Sequence, residues 1–318
     1  MTRRILITGA AGNVGEVFLP RLLAEPRFAD CAVRVLCRNR QPPPHPRIEV
    51  VTGDIADRAV VKRAMAGVTH VVHLATCKED PEHIIDVTVK GMFWLLEECR
   101  NAPEFARFLL VGGDAAVGHM YLQRPLPITE EQRHTAYKGC YALSKVLEEV
   151  LLEQYQIQYD LDGCCLRAPW IMCKDDFKRQ LSFAPEVFGE PLWGKLVGPE
   201  KAAQYQAEGA VPIMLDLEGK PVLRNFVHVS DLAEAMVLAL DHPRARQQTF
   251  NICMDEPVNY AEVANHLQRT RGLRGIEIRV ERFSNWLDNT KAKLHLGWRP
   301  QYDLPRLVDA AYEYRKPS

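Results

Sequence analysis

The sequence predicts an α/β fold: a doubly wound parallel sheet with a smaller, mostly C-terminal α/β lobe. Three observations carry this. The first half alternates short β-rich runs with helical stretches, the pattern of parallel strands joined by crossover helices. A glycine-rich turn, Gly9-Ala10-Ala11-Gly12-Asn13-Val14-Gly15, joins the first strand to the first helix. After residue 168 the alternation breaks, and segments punctuated by proline and glycine take over.

Ile5-Leu6-Ile7 reads as a buried strand, and Val14 to Leu23 as a helix in which Pro20 should kink or loosen the second turn. Ala32 to Cys37 is a second strand, followed by the stiff connector Gln41-Pro42-Pro43-Pro44-His45-Pro46. Ile48 to Val51 is a third strand, Asp57 to Met65 a helix, and Val68 to Leu74 a fourth strand. Ile84 to Arg100 is a long helix, Phe108 to Val111 a fifth strand, Tyr141 to Tyr155 a helix, and Gly163 to Leu166 a sixth strand. Further on, Phe226 to Val229 reads as a strand, Ser230 caps a helix ending near Asp241, and Ile276 to Val280 is a short strand among helices. One domain is therefore expected over 1–168 plus 223–248, and a second lobe over 169–222 plus 249–318. In 170–222, Trp170, Met172, Lys174, Phe177 and Trp193 are equally compatible with core, lid or contact roles.

With 318 residues, 47% apolar and 25% charged, the composition is that of an ordinary globular protein. A net charge of −1 offers no electrostatic reason for nucleic acid or a membrane surface as partner. No apolar run reaches the roughly 18 residues needed to span a bilayer. The apolar stretch at the start is too short for a signal peptide, so a cytoplasmic protein is expected. Nine cysteines without a C-x-x-C pair then read as reduced thiols, and no metal site is expected.

The turn follows a strand and opens a helix, the context that makes a glycine pattern a Rossmann-type dinucleotide site. The first glycine permits a tight turn, the second lets backbone approach a pyrophosphate, and the third lets helix pack on strand. Gly9, Ala11, Gly12, Asn13, Val14 and Gly15 are the candidate cofactor residues. A tight turn with no ligand is the competing reading. The G-x-x-G-x-x-G spacing is the form found in short-chain dehydrogenases. At the end of the second strand a carboxylate would accept from the ribose of NAD, whereas a cation favours the phosphate of NADP. The sequence there is Cys37-Arg38-Asn39-Arg40, so the expectation leans to NADP over NAD through Arg38; two solvated charges are the alternative. Asp54 and Ile55 end the third strand, where a carboxylate either accepts from an adenine amino group or caps a turn.

Tyr141 and Lys145 stand one helical turn apart. A neighbouring ammonium lowers a phenol's pKa and fits it for proton transfer. Tyr312 and Lys316 share the spacing but lack the setting, a helix start after the fifth strand, and both are expected to be exposed. Together with Gly53-Asp54-Ile55, His73-Leu74-Ala75, Cys165-Leu166-Arg167-Ala168-Pro169, Arg224 to Ala233, Phe250-Asn251-Ile252 and Lys293 to Pro300, these motifs make the chain resemble an extended short-chain dehydrogenase/reductase of the nucleotide-sugar epimerase/dehydratase group. The resemblance covers nearly the whole length. It implies Tyr141 as acid/base at a substrate hydroxyl or carbonyl, and Lys145 at the nicotinamide ribose. It also implies Leu74, Ala75, Thr76 and Pro169 along the cofactor, Arg224 at a substrate phosphate, and a homodimer through helices 84–100 and 141–155.

The chain departs from the family where a Ser or Thr normally follows the fifth strand. That position falls on Gly113, or on Asp114 if the loop slips by one. Backbone N–H groups or a water, a protonated Asp114, or Thr76 could take over; otherwise the protein binds cofactor without fast chemistry. Dehydratases place Thr-Asp-Glu here, and with only Asp114 retained, dehydration is the lesser reading. The expected function is an NAD(P)-dependent oxidoreductase or epimerase acting on a secondary alcohol or ketone of a sugar or nucleotide-sugar. A non-catalytic or redox-sensing dinucleotide-binding protein is the alternative.

Overall fold

The computed structural model describes residues 3–185 and 189–316. Its central sheet is parallel throughout. The strands are β1 (Arg4–Thr8), β2 (Ala32–Cys37), β3 (Ile48–Thr52), β4 (His70–His73), β5 (Arg107–Gly113) and β6 (Gly163–Ala168), with Gln248–Asn251 as the seventh. In space they run Gln248–Asn251, β6, β5, β4, β1, β2, β3. The winding therefore reverses between β1 and β4, and in such sheets ligands bind at the carboxyl ends beside that point.

Side-chain alternation along each strand feeds two cores. Ile5 and Ile7 of β1 join the face covered by α1 (Asn13–Ala24) and the helices Val229–Ala239 and Thr290–Leu296. Leu6 between them joins the other face, under α2 (Arg58–Met65), α3 (Gly91–Arg100) and α4 (Cys140–Tyr159). That is the two-residue period of a strand buried on both sides.

The main correction concerns the body's limit at 248. Gln248–Asn251 pairs in parallel with β6, so residues 249–251 belong to the sheet rather than to the second lobe. Conversely, the strand Phe226–His228 leaves the sheet and pairs with Trp170–Met172 in a two-stranded unit. Four-residue strands carry too little pattern to reveal which sheet they enter.

Other differences are local. Helix α1 runs from Asn13 to Ala24 with Pro20 inside it; Pro20 and Glu16 both face solvent, so the carbonyl left unpaired can be hydrated. Helix Val229–Ala239 is capped by His228, whose Nδ1 accepts from the Ser230 amide at 3.3 Å, and not by Ser230. The segment before α3, Ile85–Lys90, is wound as a π-helix. Among the described residues of 170–222 are the short helices Asp176–Gln180, Trp193–Val197 and Pro199–Ala207 and, besides Trp170–Met172, the strand Val211–Leu215, parallel to Gly275–Arg279. Met172, Phe177 and Trp193 are core residues of this lobe, and the Trp193 indole donates to the Gln180 carbonyl. Lys174 is exposed and pairs with Glu16. Among the described residues, no helix is long and apolar enough to cross a membrane.

Candidate active site

The carboxyl ends of β1, β4, β5 and β6 converge on one edge of the sheet, and α1 starts there. Gly9 has φ +70°, and a Cβ on it would lie 2.8–2.9 Å from the backbone of Leu74 and Ala75. A Cβ on Gly15 would lie 2.4 Å from the Ala10 carbonyl oxygen, so the first turn of α1 lies directly on the backbone of the glycine-rich turn. Gly12 turns the loop by donating to the Gly9 carbonyl at 3.0 Å and opens α1 with no side-chain cap. Gly12 and Asn13 are exposed, and Ala11 and Val14 half-buried. An uncapped, solvent-facing N-terminus of a twelve-residue helix is what a pyrophosphate needs, so these residues fit a dinucleotide.

The walls of this cleft come from β2, β3 and β4. Arg38 is exposed beyond β2, and its guanidinium stands 3.7 Å from the Asp54 carboxylate beyond β3. Asp54 also caps its own turn, accepting from the Ala56 amide at 2.9 Å. Ile55 is buried and packs where Gly91 leaves no Cβ. Arg40 pairs with Glu16 rather than with Asp54. Leu74 and Ala75 donate their amides to the Thr8 hydroxyl at 3.2 Å each. Thr76 is exposed, its hydroxyl donating to the Cys77 carbonyl. Pro169 is buried between β6 and Trp170–Met172.

Tyr141 and Lys145 lie in the first turns of α4, with the Lys145 Nζ 5.7 Å from the Tyr141 ring centre. Lys145 is buried and forms an ion pair of 2.8 Å with Glu148, which is 1% exposed. Burial pushes the Tyr141 phenol up; Lys145 opposes this, while Glu148, Asp114 and Glu79 push it further. Lys145 thus acts on the phenol in the expected direction, but burial outweighs it. Burial works against the Lys145 ammonium, but Glu148 outweighs it and holds the ammonium above its ordinary value. The pair Tyr312/Lys316 is elsewhere: Tyr312 is half-buried in the second lobe beneath Arg271, not exposed as expected, while Lys316 is exposed.

The first residue beyond β5 is Asp114, with Gly113 closing the strand. Gly113 is roomy, since a Cβ there would meet nothing closer than 3.6 Å. Asp114 is buried and engaged as an acceptor. Its Oδ2 receives the Nδ1 of His119 at 2.6 Å and the Nδ2 of Asn285 at 3.0 Å. Beyond His119, whose Nε2 is 3.4 Å from the guanidinium of Arg224, the network enters the second lobe. Arg224 is 1% exposed; it donates to the Glu190 carbonyl and the Tyr260 hydroxyl and lies 4.4 Å over the Trp170 ring. The rings of Tyr121 and Tyr137 pack beside His119, 4.5 Å apart.

Sequence reasoning missed His119, Glu148 and Asn285, and gave His73 no role beyond its place in the motif His73-Leu74-Ala75. Asn285 is 171 residues from Asp114, and Arg224 is 105 from His119, beyond any spacing rule, whereas Glu148 follows Lys145 by three positions on one helix and was legible as a candidate partner.

The model of the NAD dependent epimerase/dehydratase family matches residues 5–253. The UDP-glucose 4-epimerase of Streptococcus mutans is 24% identical over 98% of this chain and 96% of its own length. The D-erythronate dehydrogenase of Cupriavidus necator is 30% identical over 60% of this chain and 62% of its own. A short-chain dehydrogenase/reductase superfamily protein from Agrobacterium tumefaciens, solved with bound NAD, superposes with a TM-score of 0.79 at 22% identity, covering 98% of this chain and 96% of that one.

Proposed function

Because the chain belongs to the NAD dependent epimerase/dehydratase family, we propose that it is a nicotinamide-dinucleotide-dependent oxidoreductase or epimerase acting at a secondary alcohol or ketone of a sugar or nucleotide-sugar. The observation that carries this is the convergence of the uncapped α1 N-terminus, the half-buried Tyr141 and the buried Lys145 on one edge of the sheet. The UDP-glucose epimerase match over nearly the whole chain supports a nucleotide-sugar, and the erythronate dehydrogenase match supports a free sugar acid as the second candidate.

In this reading Gly9, Ala11, Gly12, Asn13, Val14 and Gly15 hold the pyrophosphate, and Leu74, Ala75, Thr76 and Pro169 line the nicotinamide half. Ile55 closes the adenine side. Bound there, the dinucleotide supplies the hydride acceptor or donor. Lys145 orients the ribose, and Tyr141 takes the proton from a substrate hydroxyl or returns it to a carbonyl oxygen. The usual hydroxyl is absent, and Asp114 stands in its place. A carboxylate alone would repel a developing oxyanion. Coupled to the His119 imidazole at 2.6 Å, it becomes a pair that can pass a proton, and we assign it the role of second proton-transfer group. Arg224, reached through His119, is the anchor for an anionic group of the substrate.

The test is turnover with UDP-glucose, UDP-glucuronate, free uronates and aldonates, in the presence of NAD or NADP. Tyr141→Phe should lower the rate by about 10²–10⁴ while dinucleotide binding persists. A Tyr141→Phe chain of undiminished rate would remove the acid/base assignment, and no turnover across the panel would turn the reading toward a binding protein.

A further inference from the structure

Behind Tyr141 and Lys145 runs a buried polar chain that the proposed reaction does not use. The Thr8 hydroxyl accepts the amides of Leu74 and Ala75 and lies 2.8 Å from the Nδ1 of His73. With both accepting positions filled, Thr8 donates its own proton to Nδ1. That leaves the His73 proton on Nε2, which points at the Oε1 of Glu148 across 3.7 Å. The other oxygen of Glu148 holds the Lys145 ammonium at 2.8 Å. His73, Lys145 and Glu148 are all buried. Burial pushes His73 down to about 3, so its ring stays neutral and lends the chain no positive charge.

We propose that Glu148 is a positioning residue that sets the proton affinity of the Tyr141/Lys145 pair, by neutralising the lysine and fixing its ammonium against the helix. This rests on the reading of Tyr141 as acid/base. An unpaired ammonium beside the phenol would ease its ionisation; paired to a carboxylate 2.8 Å away, it offers Tyr141 far less. The effect belongs to the pair and does not depend on which proton leaves. Removing one negative charge from a buried cluster makes loss of the first proton easier, whether it departs from the phenol or the ammonium.

The other titratable groups around the cluster leave the assignment to Glu148. His73 from β4 is neutral, and burial pushes the Cys165 thiol of β6 far up. Glu149, the next residue, is committed to Arg167 at 2.7 Å and to His134 at 2.9 Å. Asp114 beyond β5 is engaged by His119 and Asn285, and Glu79 binds the Cys140 amide. Among the described residues, only Glu148 touches the ammonium with a carboxylate.

The experiment is a pH titration of the full chain labelled with ¹³Cζ-tyrosine, the Tyr141 resonance being the one lost in Tyr141→Phe. Its readout needs neither cofactor nor substrate. In Glu148→Gln the Tyr141 transition should fall by about one pH unit or more, the usual size of a neighbouring-charge effect. Glu148→Asp, which withdraws the charge by one methylene, should fall by a smaller step and serves if the glutamine variant does not fold. An unmoved transition in whichever variant folds overturns the proposal, as does failure of both to fold, which would make Glu148 purely structural. Retention of full rate by Tyr141→Phe would remove the acid/base reading alone, because the titration reports the coupling independently of turnover.

Discussion

Arg38 and Asp54 face each other at 3.7 Å across the tips of β2 and β3, which pair in parallel up to Cys37 and Thr52. The guanidinium is 62% exposed, so the contact adds little to stability and leaves the cation available to a ligand. Replacing Arg38 by Ala should weaken NADP binding by about tenfold or more, the worth of one charge-assisted hydrogen bond, and leave NAD nearly unaffected. Calorimetric titration with both dinucleotides checks this; equal loss for the two would sink the lean to NADP.

The glycines of the turn separate fold from binding. Gly15→Ala forces a Cβ to 2.4 Å from the Ala10 carbonyl oxygen, so α1 and the turn before it must move apart. Overpacking of this kind costs about 1–3 kcal/mol, visible as a lower midpoint in urea unfolding. Gly12→Ala meets only the Gly9 carbonyl oxygen, at 3.2 Å, and has an ordinary φ of −87°. It should keep most of the stability yet lose dinucleotide affinity, since the methyl group occupies the approach to the helix N-terminus. Equal stability losses in the two variants would contradict this division.

Asp114 and His119 should behave as one unit. Asp114→Ala strands the Nδ1 of His119 and the amide of Asn285, and His119→Ala strands part of the carboxylate, each costing about 1–3 kcal/mol as unsatisfied buried groups do. The double variant should cost less than the sum, because the second change removes a group already orphaned. Additive unfolding energies would mean the 2.6 Å contact carries no coupling.

Stability should fall in mild acid through His70. Burial, its largest cause, with Arg3 and Arg107 adding, pushes His70 down to about 4 from the ordinary 6.5. The unfolded chain therefore takes up a proton that the folded chain refuses. The contribution is complete above about pH 6.5 and is lost progressively as the pH falls toward 4, by about 3 kcal/mol at most. In His70→Gln that slope should be missing between pH 6.5 and 4; an identical slope would assign it to other groups.

Much of the nucleotide-binding half was legible because its information is local. The Gly9, Gly12 and Gly15 spacing, the β-rich runs and the Tyr141/Lys145 pair each lie within one strand–turn–helix unit, where backbone geometry follows from neighbouring residue types. The short segments of 170–222 were not legible. Helices of five residues, such as Trp193–Val197, have too few turns to show a period and owe their form to packing on Phe177, Phe226 and Tyr260.

By itself, then, the sequence determined the class of fold, the glycine turn from β1 into α1 and the one-turn spacing of Tyr141 and Lys145, since each is written in contiguous residues. The tertiary structure alone decided that Lys145 is buried against Glu148 and that Asp114 is engaged by His119 and Asn285. Glu148 acts on Lys145 only because burial strips both of water, and Asp114 meets Asn285, and His119 meets Arg224, only where distant segments of the chain come together. Desolvation and long-range contact, which give those charges their effect, have no counterpart in residue spacing.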